Sequence, residues 1–491
     1  MRTIGCAGPG FVTLAVTFAL TAAGARAEMR ELPLDVPVDA PGVDLELRNS
    51  RVDVLLSRDA DARLLVTDAR GDEITGGYVA IEAGEDGALV VRQPWGDEAV
   101  APDVRVRLVL PPGTALTIRG ERLDVDLEGE RAAPGERPAT GRGRAGGGGG
   151  GAGRASIRID VDDSSVRITR VSGLDLEGSG GFFDLAATAG AVTARLERAG
   201  LRTAGHRGSL VLAGSSLDAE AQDVSGTLRA VLDGGGLTVG SGEGRLRAEL
   251  KAAQLLAQRW AGPVEVAGSD ATVELRAFED DGSTVRVDLS DGQVLLEGLA
   301  GGLSGQLRAG RIEARDIGGA VNLTARESAE IELEGLGQAC RLDLQDGARG
   351  RVRGVAGRLA VRVTDAEIEA EGALELDLRA ERGIADVSGV TRQVRLVAVD
   401  SDLDVDCTQA RGQAELQARG TSVVRMRLPQ PCEVRHDGSD AARDALAADG
   451  CELVGRGERR PRVIRPRGRR PPLVLEAKVD AGTRVEITGV P

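Results

Sequence analysis

The chain has 491 residues, of which 41% are hydrophobic and 28% charged, with a formal net charge of -15. It is too apolar for wholesale disorder and long enough for two or three domains, and its acidity argues against general nucleic-acid binding. Only two Trp, one Tyr, five Phe and two His stand against 69 Gly. An aromatic-lined pocket, a histidine metal site and a Ser-His-Asp triad are therefore nearly excluded.

Residues 1–27 read as an export signal. Arg2 supplies positive charge, Phe11 to Ala23 form an apolar run, and Ala25-Arg26-Ala27 is an A-x-A cleavage pattern. The run is shorter than the about 20 residues a membrane span needs. Cys6 precedes it, so it is not a lipoprotein acylation cysteine. Cleavage after Ala27, with no later segment able to span a bilayer, implies an exported protein of the periplasm or cell surface. Residues 28–130 alternate apolar and polar at Val43–Leu47 and Val104–Leu110, with a turn at Pro111-Pro112-Gly113. They suit an N-terminal β cap over an open sheet edge. Residues 131–155 carry the six glycines Gly146 to Gly151 and several Arg, and read as a flexible linker.

From 156 to 430 apolar residues recur every nine positions: Leu174, Phe183, Val192, Leu201, Leu210, Ala219, Leu228, Leu237, Leu246, Leu255, Val264, Val273. A second series lies two residues later, from Leu176 to Leu275, polar only at Thr203. An i, i+2 pair is a short strand with one buried face, and fixed spacing is the mark of a solenoid. Glycines such as Gly190, Gly208, Gly226 and Gly262 fall seven residues after an apolar position, where a tight turn needs positive φ. Every second repeat adds an apolar residue five places in: Val224, Trp260, Phe278, Leu299, Ile317. The alternate repeats carry Ser215, Asp233, Lys251, Ser269, Ser290 and Arg308. Two unlike halves thus make one coil of about 18 residues, and about 15 coils stack at strand spacing. The ladder continues through Ile331, Leu342, Leu359, Ile368, Val394, Leu403 and Val423. Leu246 to Trp260 looks helical by composition but keeps the nine-residue register, and is read as strand. The fold expected is all-β, a parallel β-solenoid of two-strand coils.

Residues 431–455 are bracketed by Cys432 and Cys451, for which a loop-closing disulfide is expected across a stretch with a helix-like segment from Asp440 to Ala448. Residues 456–472 form an Arg/Pro-rich arm. Its Arg456, Arg459, Arg460, Arg462, Arg465, Arg467, Arg469 and Arg470 either dock on anionic envelope polymers and phosphate head groups or fold back on the acidic rod. Residues 473–491 supply the terminal strands. Cys340 and Cys407 lie nearly four coils apart, too far for a disulfide, and read as buried free thiols.

Few other residues invite chemistry. Trp260 and His206 share the alternating column and read as packing. Trp95 and Tyr78 are the surface stacking candidates, and His436 has no partner in the sequence. The acidic sets Glu279-Asp280-Asp281 and Asp400, Asp402, Asp404 and Asp406 suit a solvated face better than a cation site, and the turns lack the regular Asp of calcium-binding β-rolls. No cofactor or metal is expected.

The stretch VRVRLVLPPGTALTIRGERLDVDLEG (Val104 to Gly129) resembles the bacterial adhesin family of toastrack-like, or head-domain, β-solenoids. AQDVSGTLRAVL (Ala221 to Leu232), ARDIGGAVNLTA (Ala314 to Ala325) and LVLEAKVDAGTRVEITG (Leu473 to Gly489) fit the repeat of that family. Where the family has Ser-Gly-Asp, this chain has Gly120-Glu121-Arg122. The resemblance implies a non-catalytic, exported β-solenoid presenting a binding surface at the cell envelope. A periplasmic envelope-stress scaffold or sensor is the alternative, and a polysaccharide-active enzyme a further one. The glycine-rich linker implies a cap loosely joined to the rod.

Overall fold

The computed structural model describes residues 42–57, 62–68, 80–84, 88–93, 104–129, 157–278, 283–436, 445–455 and 473–490. The chain is an all-β parallel β-solenoid of about 16 turns with coils spaced by about 18 residues. It divides into two compact units, one up to Glu243 and one from Gly244. Residues 1–27, read above as an export signal, the Gly146–Gly151 run and Arg456 to Arg470 lie outside the described residues.

Each coil follows from the nine-residue period. In the N-terminal unit, Val192 and Ala194 pair in register with Leu210 and Leu212, which pair in turn with Leu228 and Ala230. In the C-terminal unit Leu246 and Ala248 pair with Val264 and Val266. All these side chains are buried, as is Thr203. Composition alone would make Leu246 to Trp260 a helix; it is instead strands Gly242–Lys251, Gln254–Gln258 and Trp260–Ala261 separated by corners, because its inward positions match those of the neighbouring coils. The thin interior is filled by Val, Leu and Ala, each worth at most about 1.5–3 kcal/mol on burial.

The corners obey a rule the period only half reveals. A left-handed residue is followed by one that points inward: Asp223 before Val224, Arg259 before Trp260, Ala277 before Phe278, Asp316 before Ile317. The expected glycine turns are present, with Gly208 and Gly226 at φ 131° and 127°. There glycine is demanded twice over, since a Cβ on Gly226 would lie 2.1 Å from the carbonyl oxygen of Gly208 in the coil beneath. Many other corners are turned by Asp, Ala or Arg at φ near +50°, a conformation costing roughly 1–2 kcal/mol that the stacked coils impose. The inward corner residues align into a buried column of Phe278, Leu299, Ile317, Leu336 and Val355.

The outward faces pair their own charges. Arg349, Arg351 and Arg353 lie over Glu367, Glu369 and Glu371 of the next coil at 3.3, 2.8 and 4.0 Å. Such exposed pairs are each worth well under about 1 kcal/mol.

Both ends of the stack depart from sequence order. At the amino end, strands Gly42–Arg48 and Ser50–Leu56 lie between two later pairs. Val43 pairs with Leu89 on one side and Leu116 on the other, and Val52 with Val106 and Val125. The outer strands are bordered by antiparallel Ala80–Ala83 and Arg63–Asp68, which reverse the strand direction at that edge. At the carboxyl end, Leu473–Val479 and Arg484–Val490 slot between earlier strands. Ala414 and Val434 both pair with Leu475, while Val424 and Leu446 both pair with Val485.

Three expectations are corrected. The loose junction is absent: Ile118 pairs with Ile159 and Val125 with Val166, so the ladder runs across residues 130–156 without a change of register. The end of the helix-like segment, from Leu446, enters strand Leu446–Asp449, because Leu446 fills an inward position against the terminal coil. At the last ladder position expected, Val423, the inward residue is Val424, with Val423 half-exposed, because the preceding coil has lengthened.

Candidate functional site

In the C-terminal unit the coil lengthens towards its end, and the added residues fall in corners. Leu376 pairs with Val394, but Val394 pairs with Ala414 two residues beyond the 18-residue step, and Leu403 with Val424 three beyond it. One surplus residue falls at 420–422 and the other two fall in the turn at 407–412, which lies against the turn at 389–392 of the adjacent coil. Backbone bonds hold them: Arg392 N–H donates to Leu374 O at 2.9 Å, Gly412 N–H to Arg392 O at 2.9 Å, and Ala410 N–H to Cys407 O at 2.9 Å. Thr408 N–H donates to Asp406 Oδ1 at 2.9 Å.

These turns, with Pro429 to Pro431 and Leu473, line an open groove of about 1120 Å³. A smaller depression of about 580 Å³ shares Thr391, Thr408 and Gln409 and adds Glu371 and Asp406. The groove presents Thr391, Gln393, Thr408, Gln409, Gln413 and Gln430, two guanidiniums, Arg392 and Arg411, and one carboxylate, Glu375. Gln430 is engaged, its amide donating to the Gly450 and Gly489 carbonyls. Arg392 and Arg411 are exposed, and neither guanidinium has an ion-pair or hydrogen-bond partner among the described residues. Nearby, Arg358 is paired to Asp377 and Arg425 to Asp402. Chemically the groove is a set of outward-facing donors with one carboxylate, and no Ser, Cys, His or Lys lines it.

The residues singled out from sequence lie elsewhere. Cys432 and Cys451 form the expected disulfide, with Cα atoms 4.9 Å apart. Cys340 and Cys407 are free and buried, as expected, and burial pushes both thiols up to about 12. They serve as core fillers: Cys340 takes an inward strand position between Val321 and Leu359. Trp260 is buried and donates its indole N–H to Gly244 O at 2.9 Å. Asp402 meets Arg425 at 3.0 Å, and Asp404 and Asp406 lie 3.8 and 3.7 Å from Arg427. Asp400 accepts the N–H and hydroxyl of Thr421, which hold its carboxyl below the usual range. This is the solvated face expected of that set. Among the described residues, no group of three or more His, Cys, Asp or Glu could hold a metal ion. His436 is buried at the end of strand Cys432–His436. Tyr78, Trp95, Glu279-Asp280-Asp281 and the eight arginines of the arm lie outside the described residues.

His206 is fully buried in the corner column of the N-terminal unit, its Nδ1 2.9 Å from Thr188 Oγ1. Its Nε2 and the buried Thr203 Oγ1 have no partner among the described residues. Burial holds the imidazole below its ordinary pKa, in the neutral form. The unfolded chain takes up a proton near pH 6.5 and the folded one resists it, so stability is full above that pH and falls as pH drops through it. Melting temperature is expected to fall between pH 7 and 5 in the native chain and to be flatter in His206→Leu. Parallel curves for the two proteins would refute this. Paired carboxylates such as Glu46 and Asp53, held low by Arg92 and by Arg105 and Arg51, add acid sensitivity only nearer pH 4.

Sequence reasoning passed over the groove. Its one trace is the pair of stretched repeats, from Val394 to Ala414 and from Leu403 to Val424. No family model, curated protein or solved structure matches the chain.

Proposed function

We propose that the chain is an exported, non-catalytic β-solenoid that presents a binding surface at the cell envelope. The observation that carries this reading is the groove at Thr391–Gln393 and Thr408–Gln413, which gathers two guanidiniums, hydroxyls and amides from adjacent coils around one open space. A rigid stack of strands suits display, because each coil fixes the next and holds groove residues in place without a ligand. A single lining carboxylate supports binding over glycoside hydrolysis, which uses a pair. The address rests on the leader pattern at Arg2 to Ala27 and on the adhesin-like repeats.

The test is protease shaving of intact cells that produce the chain with an epitope inserted at the exposed Pro112-Gly113 turn, with lysed cells as control. Loss of the epitope from intact cells is expected. Protection until lysis would sink the surface reading in favour of a periplasmic scaffold.

A further inference from the structure

We propose that the groove binds an acidic glycan, an oligosaccharide bearing carboxylates on its sugar units, with Arg392 and Arg411 as the carboxylate receptors. This rests on reading the groove as the binding surface and names its ligand class.

Three observations converge. The lining comes from successive coils stacked at about 4.8 Å, so similar groups recur along the groove and suit a repeating ligand. The groups are those a polyhydroxylated acid would meet. The amides of Gln393, Gln409 and Gln413 and the hydroxyls of Thr391 and Thr408 both donate and accept, and a guanidinium matches a carboxylate with two parallel bonds. No aromatic residue lines the groove, so the stacking on which neutral sugars depend is absent and affinity must come from charge-assisted bonds. The two arginines outnumber the single Glu375, leaving the groove cationic within an acidic chain. Arg392 and Arg411 sit on adjacent coils, since Gly412 bonds to Arg392 O.

The test is calorimetric titration of the full chain with hexagalacturonate and with neutral cellohexaose. Hexagalacturonate is expected to bind and cellohexaose not. In Arg392→Gln/Arg411→Gln binding should weaken about tenfold or more, as loss of bonds to charged groups implies. Arg341→Gln/Arg362→Gln removes the same charge from exposed strand positions and should bind as the native chain does. Equal weakening in both double variants would reduce the effect to net charge and overturn the proposal. So would cellohexaose binding as tightly as the acid, or neither sugar binding. Those results leave the cell-surface address to the shaving experiment, and a protected epitope leaves the titration in force.

Discussion

Truncation after Gly455 is expected to detach residues 432–455 from the stack and expose the strands beneath. The terminal coil, Leu473–Val479 and Arg484–Val490, is the layer between them. Strand Gln413–Arg419 reaches strand Cys432–His436 only through Leu473–Val479, and strand Val423–Pro429 reaches strand Leu446–Asp449 only through Arg484–Val490. Removing it takes out buried Leu473, Leu475, Ala477, Val479, Val485 and Ile487 and uncovers Leu416, Met426 and Leu428. At about 1.5–3 kcal/mol for each large side chain the loss is on the order of 10 kcal/mol, comparable with the whole stability of a domain. Contacts in a solenoid are between neighbours, so the damage should stay at that end. Hydrogen exchange would show residues 432–455 unprotected and those before Thr364 unchanged. Leu475→Asp, which buries a charge in the same layer, should do the same without shortening the chain. Full protection of 432–455 in the truncated chain would disprove the intercalated order.

The second large effect is expected at Trp260. Its side chain is 1% exposed, fills a corner of the C-terminal unit and satisfies the Gly244 carbonyl. Trp260→Ala should cost about 3–5 kcal/mol for the cavity, and about 1 kcal/mol more for the orphaned carbonyl. Trp260→Phe keeps most of the volume and should cost less. The check is the urea midpoint of the three proteins at constant m-value. An alanine variant within about 1 kcal/mol of native would show that the corner is not close-packed.

How far the sequence reaches can be judged residue by residue. Phe278, Leu299 and Ile317 were legible as one buried column because each coil repeats the same local problem: two inward side chains, a turn, and one inward corner. The disulfide followed from two cysteines in a short terminal stretch. Asp402, Asp404 and Asp406 alternate with Leu403 and Val405, and a strand face follows from that spacing. The left-handed corners at Arg259 or Ala277 were hidden, since nothing in an Arg or Ala announces positive φ; the coil beneath enforces it. The groove was hidden for a related reason. Two or three surplus residues in a repeat read as drift, and only the folded corner shows that they set Gln409 and Arg411 beside Thr391 and Arg392 of the adjacent coil around a common space.

The sequence by itself determined the class of fold, the coil length, the inward positions and the unlike halves of each coil. These depend on periodic burial, which a local pattern encodes. The tertiary structure alone decided the order of coils at the two ends and the continuity of the ladder across residues 130–156. Any strand with apolar residues at i and i+2 fits the edge of any other, so Gly42–Arg48 and Leu473–Val479 carry no mark of a place between two neighbours. That place is set by which arrangement leaves the fewest buried strands uncovered, a property of the whole stack and of no single repeat.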